Sequence, residues 1–252
     1  MKKVSVAIAA YNEEGNLDRC LASVADWVDE LVIVDGGSTD KTVEVARRYG
    51  ARIIETDNPA IFHINKQKAV DACTGDWILQ LDTDEVVSSD LRKEITDTIS
   101  SKHSRTGYYI PRKNYLLNHW LRKGGQYPDY VIRFFRWGKG RFPCKSVHEQ
   151  IEIDGDVGYL QSPLLHYSYR TLAEYWKKSD AYTSLTAQEM VKNKIPKTII
   201  SWIWYEWITP TWKFLSLYIR HKGFVDGVYG LLFAFFSALH YPIAYKKYLR
   251  MK

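Results

Sequence analysis

Apolar and polar positions alternate in a regular order through the first third of the chain. Four short runs are apolar and β-prone enough to form buried strands, at residues 4–10, 31–34, 52–54 and 76–81. Between the first two runs, Leu17, Leu21 and Val24 recur at helical spacing. This alternation predicts an α/β fold built on a mostly parallel, Rossmann-like sheet with right-handed crossovers.

The pattern changes after a helix predicted at residues 89–99. Residues 108–110 and 130–136 are typical of strands, and the stretch between them is basic and rich in turn-forming residues. Further on, Thr171 and Glu174 form a capping-box pattern that opens a helix of about twenty residues. The sequence therefore predicts two domains, an α/β domain over residues 1–170 and a helical extension over residues 171–252.

The predicted extension combines aromatic, uncharged and basic stretches. Residues 199–208 are strongly aromatic, and residues 227–245 hold no Asp, Glu, Lys or Arg. The chain carries a formal net charge of +6, and from Lys197 onward eight basic residues face only two acidic ones. Tryptophans beside basic residues suit an anionic membrane surface, whereas binding of nucleic acid calls for a basic excess spread over a folded face. We therefore expect a membrane partner and no nucleic acid.

The manner of membrane contact stays open at this point. Residues 227–245 are at the lower limit of length for a membrane span, and Pro242 and flanking basic residues on both sides argue against spanning. A helix lying in the membrane interface, or one packed on the α/β domain, also fits. The N-terminus has no export-signal pattern and the three cysteines form no metal motif, so we expect a cytoplasmic protein.

Polar residues follow three of the predicted strands at the point where each strand ends. Tyr11 and Glu13 follow the first, Asp35 closes the second, and Asp82 and Asp84 follow the fourth. The carboxyl ends of parallel strands meet at one sheet edge, where a nucleotide binds in folds of this type. Paired carboxylates there suit Mg²⁺ or Mn²⁺ together with a diphosphate. Each cluster alone is also explained by an ordinary solvated turn.

Three motifs resemble glycosyltransferase family 2, the inverting enzymes of the GT-A fold. They are VAIAAYNEE at residues 6–14, VDGGSTDKT at residues 34–42 and GDWILQLDTDE at residues 75–85. A later stretch, PDYVIRFFR at residues 128–136, together with residues 147–149, is similar to bacterial transferases that build lipopolysaccharide cores. The resemblance implies a GT-A catalytic domain with a membrane-associating helical extension.

The resemblance also implies roles for single residues. Tyr11, Glu13 and Asp35 would frame the base and ribose of the donor. Asp82 would lie near the ribose and diphosphate, Asp84 would be the principal metal ligand, and His166 would be a further ligand. Lys68 stands where many members have an arginine near the donor. The family often has an aspartate where this chain has Gly36.

Inverting transfer requires a general base for the acceptor hydroxyl. The pair His148-Glu149 resembles the position of the family's catalytic carboxylate, so Glu149 is the predicted base and His148 would orient it or bind substrate. Glu152, Asp154 and Asp156 are rival carboxylates nearby in the sequence.

Two arginines on a predicted strand call for a charged partner. Arg133 and Arg136 fit a phosphate of the donor or the acceptor, but a strand at a surface edge explains them as well.

The resemblance implies an inverting hexosyltransferase that moves glucose from UDP-glucose to a lipid-linked glycan, such as the lipopolysaccharide inner core. It would act peripherally at the cytoplasmic face of the bacterial inner membrane. A polyprenyl-phosphate sugar transferase and an inactive, membrane-docking module that binds nucleotide sugars are the alternatives. A nucleotidyltransferase or a dinucleotide-binding dehydrogenase would instead need a glycine-rich loop after the first strand, where Tyr11-Asn12-Glu13-Glu14 stands.

Overall fold

The computed structural model describes residues 2–59, 61–145 and 149–251. The chain divides into two compact units. Unit 1 comprises Met1–Arg112 and Tyr130–His166, and unit 2 comprises Lys113–Asp129 and Tyr167–Lys252. The predicted boundary after residue 170 stays a prediction, because these units are defined by packing and not by independent folding.

Unit 1 begins with four parallel strands. They are β1 (Val4–Ala10), β2 (Glu30–Asp35), β3 (Arg52–Glu55) and β4 (Trp77–Leu81). Strand β1 pairs with both β2 and β4, and β2 pairs with β3. The register sets Ala10 opposite Asp35 and Ile8 opposite Leu81. The strand ends that carry the predicted site residues therefore lie side by side at one edge, as the apolar runs indicated.

Six further strands make the sheet mixed. They are β5 (Glu85–Val87), β6 (Gly107–Leu116), β7 (His119–Trp120), β8 (Asp129–Arg136), β11 (Val157–Tyr159) and β12 (Leu164–Tyr169). Two others, β9 (Gly140–Arg141) and β10 (Glu152–Ile153), form a separate two-stranded sheet. The strand order is β3-β2-β1-β4-β8-β6-β12-β5. Strand β8 runs antiparallel to β4, and β12 runs antiparallel to β5. The predicted α/β class is confirmed.

Four helices of unit 1 cover the sheet. They are α1 (Glu14–Ala22), α2 (Thr42–Arg48), α3 (His63–Ala72) and α4 (Ser89–Ser100). Strand residues alternate between two apolar clusters, because neighbouring side chains of a strand point to opposite faces. Ile8 and Leu79 pack with Leu17 of α1, whereas Ala7 and Ile78 belong to the cluster that contains α3. Burial on both faces explains why these strands read as continuous apolar runs.

Unit 2 is mostly helical. It contains α5 (Leu172–Lys192), α6 (Ile199–Ile203), α7 (Thr209–Leu215) and α8 (Gly227–Arg250), with π-helical turns at Trp204–Ile208 and Ser216–Arg220 and a 3-10 turn at Gly223–Asp226. Helix α5 begins as its capping pattern predicts, since the Thr171 hydroxyl accepts a hydrogen bond from the Glu174 amide at 3.1 Å. Helix α8 packs against α5 and α7.

One helical segment within the described residues, Gly223–Arg250, is long and apolar enough to cross a membrane by length and composition. Only 28% of its most apolar window is buried. Pro242 lies inside α8 and is itself buried. The choice between an interfacial, a packed and a spanning helix stays open for α8.

Candidate active site

Asp82 lies at the carboxyl end of β4 and is the centre of an ion network. One of its carboxylate oxygens, Oδ1, contacts the Lys66 ammonium, and the other, Oδ2, lies 2.5 Å from a guanidinium nitrogen of Arg133. The Gln80 amide also donates to Oδ1 at 3.3 Å. Burial opposes the charge of this carboxyl, but the cations of Arg133 and Lys66 outweigh that effect and hold the pKa of Asp82 well below its usual range. Asp82 is therefore ionised at neutral pH.

Arg133 extends the network to a second carboxylate. Its guanidinium lies 2.9 Å from Oε1 of Glu85, a residue with no exposed surface, and Arg112 approaches the same oxygen at 3.5 Å. Glu85 also accepts a hydrogen bond from the Asp82 amide at 2.9 Å. Since Arg133 is buried on β8, between β4 and β6, the expectation of a surface-edge strand is wrong for it. Its charge is compensated by carboxylates of the protein itself.

Arg136 on the same strand has a different environment. Its guanidinium donates to the Ser104 hydroxyl at 2.8 Å and lies 4.7 Å from the centre of the Trp77 ring. These contacts account for the charge of Arg136 without a phosphate.

Asp84 and His166 come together beside this network. The Asp84 carboxylate is buried, and its Oδ1 lies 3.5 Å from Nε2 of His166. The pairing of β12 with β5 brings them together, since His166 lies opposite Glu85. The described residues contain no cluster of three His, Cys, Asp or Glu side chains that could hold a metal. Two protein ligands nevertheless fit Mg²⁺ or Mn²⁺, which commonly complete their coordination with diphosphate and water oxygens.

The predicted donor residues line the loops after β1 and β2. Tyr11 is 44% exposed, and the Glu13 carboxylate accepts a hydrogen bond from the Asn16 amide at 2.8 Å. Asp35 is buried, and its carboxylate accepts from the amides of Gly37 and Ser38 at 3.0 and 2.9 Å. Asp35 thus fixes the turn at the end of β2. Whether any of these side chains contacts a nucleotide stays a prediction.

Gly36 leaves little room for the aspartate that the family often has at this position. A Cβ atom at Gly36 would lie 3.2 Å from the Cβ of Asn58 and 3.5 Å from the Ala10 carbonyl oxygen. The loop after β3 therefore occupies space that a side chain at residue 36 would need.

Helix α3 carries two lysines with different environments. The Lys68 ammonium donates to the Thr56 hydroxyl at 2.7 Å and lies 3.8 Å from the Asp57 carboxylate. Lys66, which is not among the predicted site residues, is the lysine of this helix that contacts Asp82. The donor role of Lys68 stays a prediction.

Glu149 directly follows residues 146–148, which lie outside the described residues. Its Oε1 accepts a hydrogen bond from the Lys145 amide at 2.7 Å, and its side chain is half-buried. His148, the predicted orienting residue, lies outside the described residues.

Two rival carboxylates are engaged elsewhere. Hydrogen bonds from the side chains of Arg105 and Thr106 lower the pKa of Asp156 to about 2. A hydrogen bond from Lys139, at 2.6 Å, lowers the pKa of Asp154. A carboxylate with a lowered pKa is a weaker proton acceptor, so these contacts favour Glu149 over both rivals.

Several residues of the network were not predicted from the sequence. Glu85 follows directly on the Asp-x-Asp motif and precedes Val86 and Val87, so it carried a local signal for a buried charge, whereas Arg112 lies in a basic, turn-rich stretch and carried none. Lys66 gave no such signal, because its contact with Asp82 depends on how α3 packs against the sheet.

Comparison with known proteins identifies the family of the chain. The family model for glycosyl transferase family 2 matches residues 5–166. The lipopolysaccharide core biosynthesis glycosyltransferase LpsC of Rhizobium meliloti is 30% identical over 93% of this chain and 90% of its own length.

Solved structures are more distant. TarS of Staphylococcus aureus, residues 1–349, matches 97% of this chain and 91% of its own with a TM-score of 0.50 and 14% identity, a likeness of fold alone. A glucosyl-3-phosphoglycerate synthase of Mycobacterium tuberculosis, solved with Mn²⁺ and UDP, matches 46% of this chain and 44% of its own with a TM-score of 0.37 and 22% identity. With unit 1 matched almost throughout by the family model, the expected membership is confirmed, and the chain belongs to glycosyltransferase family 2.

Proposed function

We propose that this glycosyltransferase moves a hexose, glucose from UDP-glucose, onto the inner core of lipopolysaccharide. The observation that carries the proposal is the approach of Asp84 to His166 beside the ionised Asp82, at the sheet edge where nucleotides bind. This arrangement offers a place for a divalent cation and the diphosphate of a nucleotide sugar. The similarity to LpsC over most of the chain supports an acceptor of the lipopolysaccharide core class.

In this proposal, Asp84 and His166 hold Mg²⁺ or Mn²⁺. The metal would supply positive charge to the departing diphosphate. Asp82 would lie near the ribose and diphosphate, and the two cations that contact it, Lys66 and Arg133, would offset its repulsion of a negatively charged donor. Tyr11, which is exposed, is available to pack against the base.

Glu149 is the proposed general base. It accepts the proton of the acceptor hydroxyl as that oxygen forms a bond to the anomeric carbon of the donor sugar. The bond from this carbon to the diphosphate oxygen breaks at the same time, so the configuration inverts. The nucleoside diphosphate leaves with the bonding electrons.

The site of action in this proposal is the cytoplasmic face of the inner membrane, where a lipid-linked glycan is accessible to a peripheral enzyme. The basic, aromatic residues of unit 2 support this location, because they combine the features that favour an anionic surface.

Nucleotide-dependent stabilisation tests the donor and metal parts. UDP should raise the melting temperature of the protein in the presence of Mn²⁺ or Mg²⁺, and excess chelator should remove the effect. Asp84→Asn should abolish this metal-dependent rise, whereas Asp156→Asn, a carboxylate on an exposed ion pair, should leave it intact. An equal rise in chelator, or one that survives Asp84→Asn, would contradict the metal assignment.

Transfer itself is tested with radiolabelled UDP-glucose and lipopolysaccharide truncated at the inner core. We expect label in the lipopolysaccharide with wild-type protein and none with Asp84→Asn. Label that enters a polyprenyl phosphate instead would support that alternative acceptor. Donor binding without transfer to either would indicate an inactive binding module.

A further inference from the structure

Residues 199–220 of unit 2 are helical without interruption, as α6, a π turn, α7 and a second π turn succeed one another. We call this segment the aromatic helix. Apart from Trp202, its exposed large apolar residues form two adjacent rows in which neighbours are three or four positions apart: Ile199, Ile203 and Trp207 in one, and Ile200, Trp204, Ile208, Trp212, Leu215 and Ile219 in the other. Since side chains at this spacing share one side of a helix, they form a continuous apolar face.

The opposite side of the aromatic helix is already occupied. Tyr205 stacks on Tyr245 of α8 with ring centres 5.0 Å apart, and α7 packs along α8. Ser201 and Leu217 are buried on this side. The helix is therefore apolar both where it packs and where it is exposed, a pattern that a soluble protein reserves for helices buried all round.

Two tryptophans of this apolar face expose most of their surface to solvent. Trp207 and Trp212 are 63% and 65% exposed. None of the exposed positions within residues 199–219 carries a charge. A contiguous apolar surface of this kind marks a contact with another apolar phase or partner.

Charge indicates which partner. From Lys197 onward the acidic residues are Glu206 and Asp226. Glu206 lies 3.4 Å from the Lys246 ammonium, and Asp226 is buried, accepting hydrogen bonds from the amides of Arg122 and Lys123 at 3.1 and 2.9 Å. Both negative charges are thus compensated inside unit 2.

The cations at the end of the aromatic helix remain exposed. Arg220 and Lys222 directly follow its apolar face, and both are exposed. By contrast, Lys246 and Lys247, two of the basic residues near the C-terminus, form ion pairs with Glu206 and Asp180 at 3.4 and 2.6 Å. Two exposed cations therefore continue the apolar face that carries the exposed tryptophans.

We propose that the aromatic helix, and not α8, is the element that enters the membrane interface. It would lie in the plane of an anionic bilayer, with Trp204, Trp207 and Trp212 at headgroup depth and Arg220 and Lys222 among the lipid phosphates. This inference deepens the proposed function by naming the docking surface, and its test needs neither donor nor acceptor. The two can therefore fail separately.

A second copy of the chain is the other occupant that such a face could accept. Four tryptophans spread along one helix favour a flat anionic surface, because exposed cations stand at the end of the helix and none of its carboxylates is exposed. Two such faces brought together would set the cations of both copies against like charges.

Vesicle flotation with the full chain tests the apolar part. Wild-type protein should float with vesicles of phosphatidylglycerol and phosphatidylcholine, and Trp207→Ser combined with Trp212→Ser should lower the partition coefficient at least about tenfold. Trp137→Ser is the matched control, because Trp137 is a 57% exposed tryptophan of unit 1, and it should bind as wild type does. Brominated acyl chains should quench tryptophan fluorescence in wild type and in Trp137→Ser, and much less in the double variant.

Two variants of equal charge test the electrostatic part. Arg220→Gln with Lys222→Gln should weaken binding at low salt by roughly fivefold for each charge removed. Lys246→Gln with Lys247→Gln removes the same charge from paired positions and should have the smaller effect. A high salt concentration should weaken the binding of wild-type protein to vesicles without releasing all of it, since salt screens charge but does not weaken apolar insertion.

Four outcomes would overturn the proposal. They are flotation of the Trp207 and Trp212 variant equal to wild type, an equal or larger loss from the Lys246 and Lys247 pair, no vesicle binding by wild type at low salt, and a wild-type dimer that the Trp207 and Trp212 variant converts to monomer. The last outcome would identify the face as an interface between copies. Circular dichroism and urea denaturation serve as the folding controls for every variant.

Discussion

Proteins usually bury apolar residues and expose charged ones, and two regions of this protein depart from that distribution in opposite ways. In unit 1, the charges of Glu85 and Arg133 are buried and that of Asp82 is half-buried, whereas in unit 2 the aromatic helix places Trp207 and Trp212 in contact with solvent. The buried charges find their partners within the same unit. The exposed tryptophans have none among the described residues of unit 2.

The difference shows whether the interaction partners of each region come from within the protein or from outside it. A buried ion network has a large desolvation cost and is retained when its groups compensate one another, so the cations of the network belong to the fold. An exposed apolar face gains free energy only when it leaves water, so its partner must come from outside. The first region is a preorganised site and the second is a docking surface.

Removal of the buried cation should have the largest effect on stability. Arg133→Met leaves the carboxylates of Asp82 and Glu85 with fewer partners in a buried site, and we expect a loss of about 3–5 kcal/mol in the free energy of unfolding. Urea denaturation followed by circular dichroism measures it. Arg136→Met, on the same strand, is the control and should cost less, since the partners of the Arg136 guanidinium, Ser104 and the Trp77 ring, carry no charge.

Keeping the positive charge should retain part of the stability that Arg133→Met loses. Arg133→Lys still places a cation beside Asp82 and Glu85, so it should be more stable than Arg133→Met but less stable than wild type, because an ammonium cannot reproduce the forked hydrogen bonds of a guanidinium. Equal costs for Arg133→Met and Arg136→Met would show that the network is not a structural element.

Loss of the Glu149 carboxylate, which lies outside the ion network, should lower the rate of transfer without unfolding the protein. Glu149→Gln should keep metal-dependent UDP binding while transfer falls about a hundredfold or more, the usual scale for a lost general base. Single-turnover transfer with saturating donor measures the chemical step. Transfer at a normal rate would place the base elsewhere, and Glu152 would be tested next, since Asp154 and Asp156 are held by Lys139 and Arg105.

The parallel half of the sheet could be predicted because its strands are buried on both faces. Burial of this kind produces uninterrupted apolar runs, as in β1 and β4, and the pairing of neighbours then follows from the handedness of the crossovers. The antiparallel half could not be predicted to the same extent. Pairings such as β4 with β8 join residues far apart in the chain, and nothing local in either strand specifies the partner.

The same reason limits what the sequence could indicate about the site. Asp82 and Asp84 follow a recognisable strand, so their position at the sheet edge could be predicted. The partners of Asp82 depend on α3 and β8, and for this reason Lys66 was missed and Arg133 was left between two explanations. For unit 2, composition alone predicted a membrane contact. It could not predict which helix would make that contact, because the exposure of an aromatic side chain depends on what packs against it.

The smallest expected effect on stability belongs to the exposed tryptophans. Trp207→Ser with Trp212→Ser should change the free energy of unfolding by about 0.5 kcal/mol or less without vesicles, because surface substitutions outside special features have effects of this size. Tyr245→Ala in the same unit is the contrasting variant. Tyr245 is 1% exposed and stacks on Tyr205, so its loss should cost about 3–5 kcal/mol. Urea denaturation of the three proteins at matched concentration gives the comparison. A cost above about 2 kcal/mol for the tryptophan variant would mean that its side chains are packed in solution. A dependence of that cost on protein concentration would then assign the face to contact between copies and not to a bilayer.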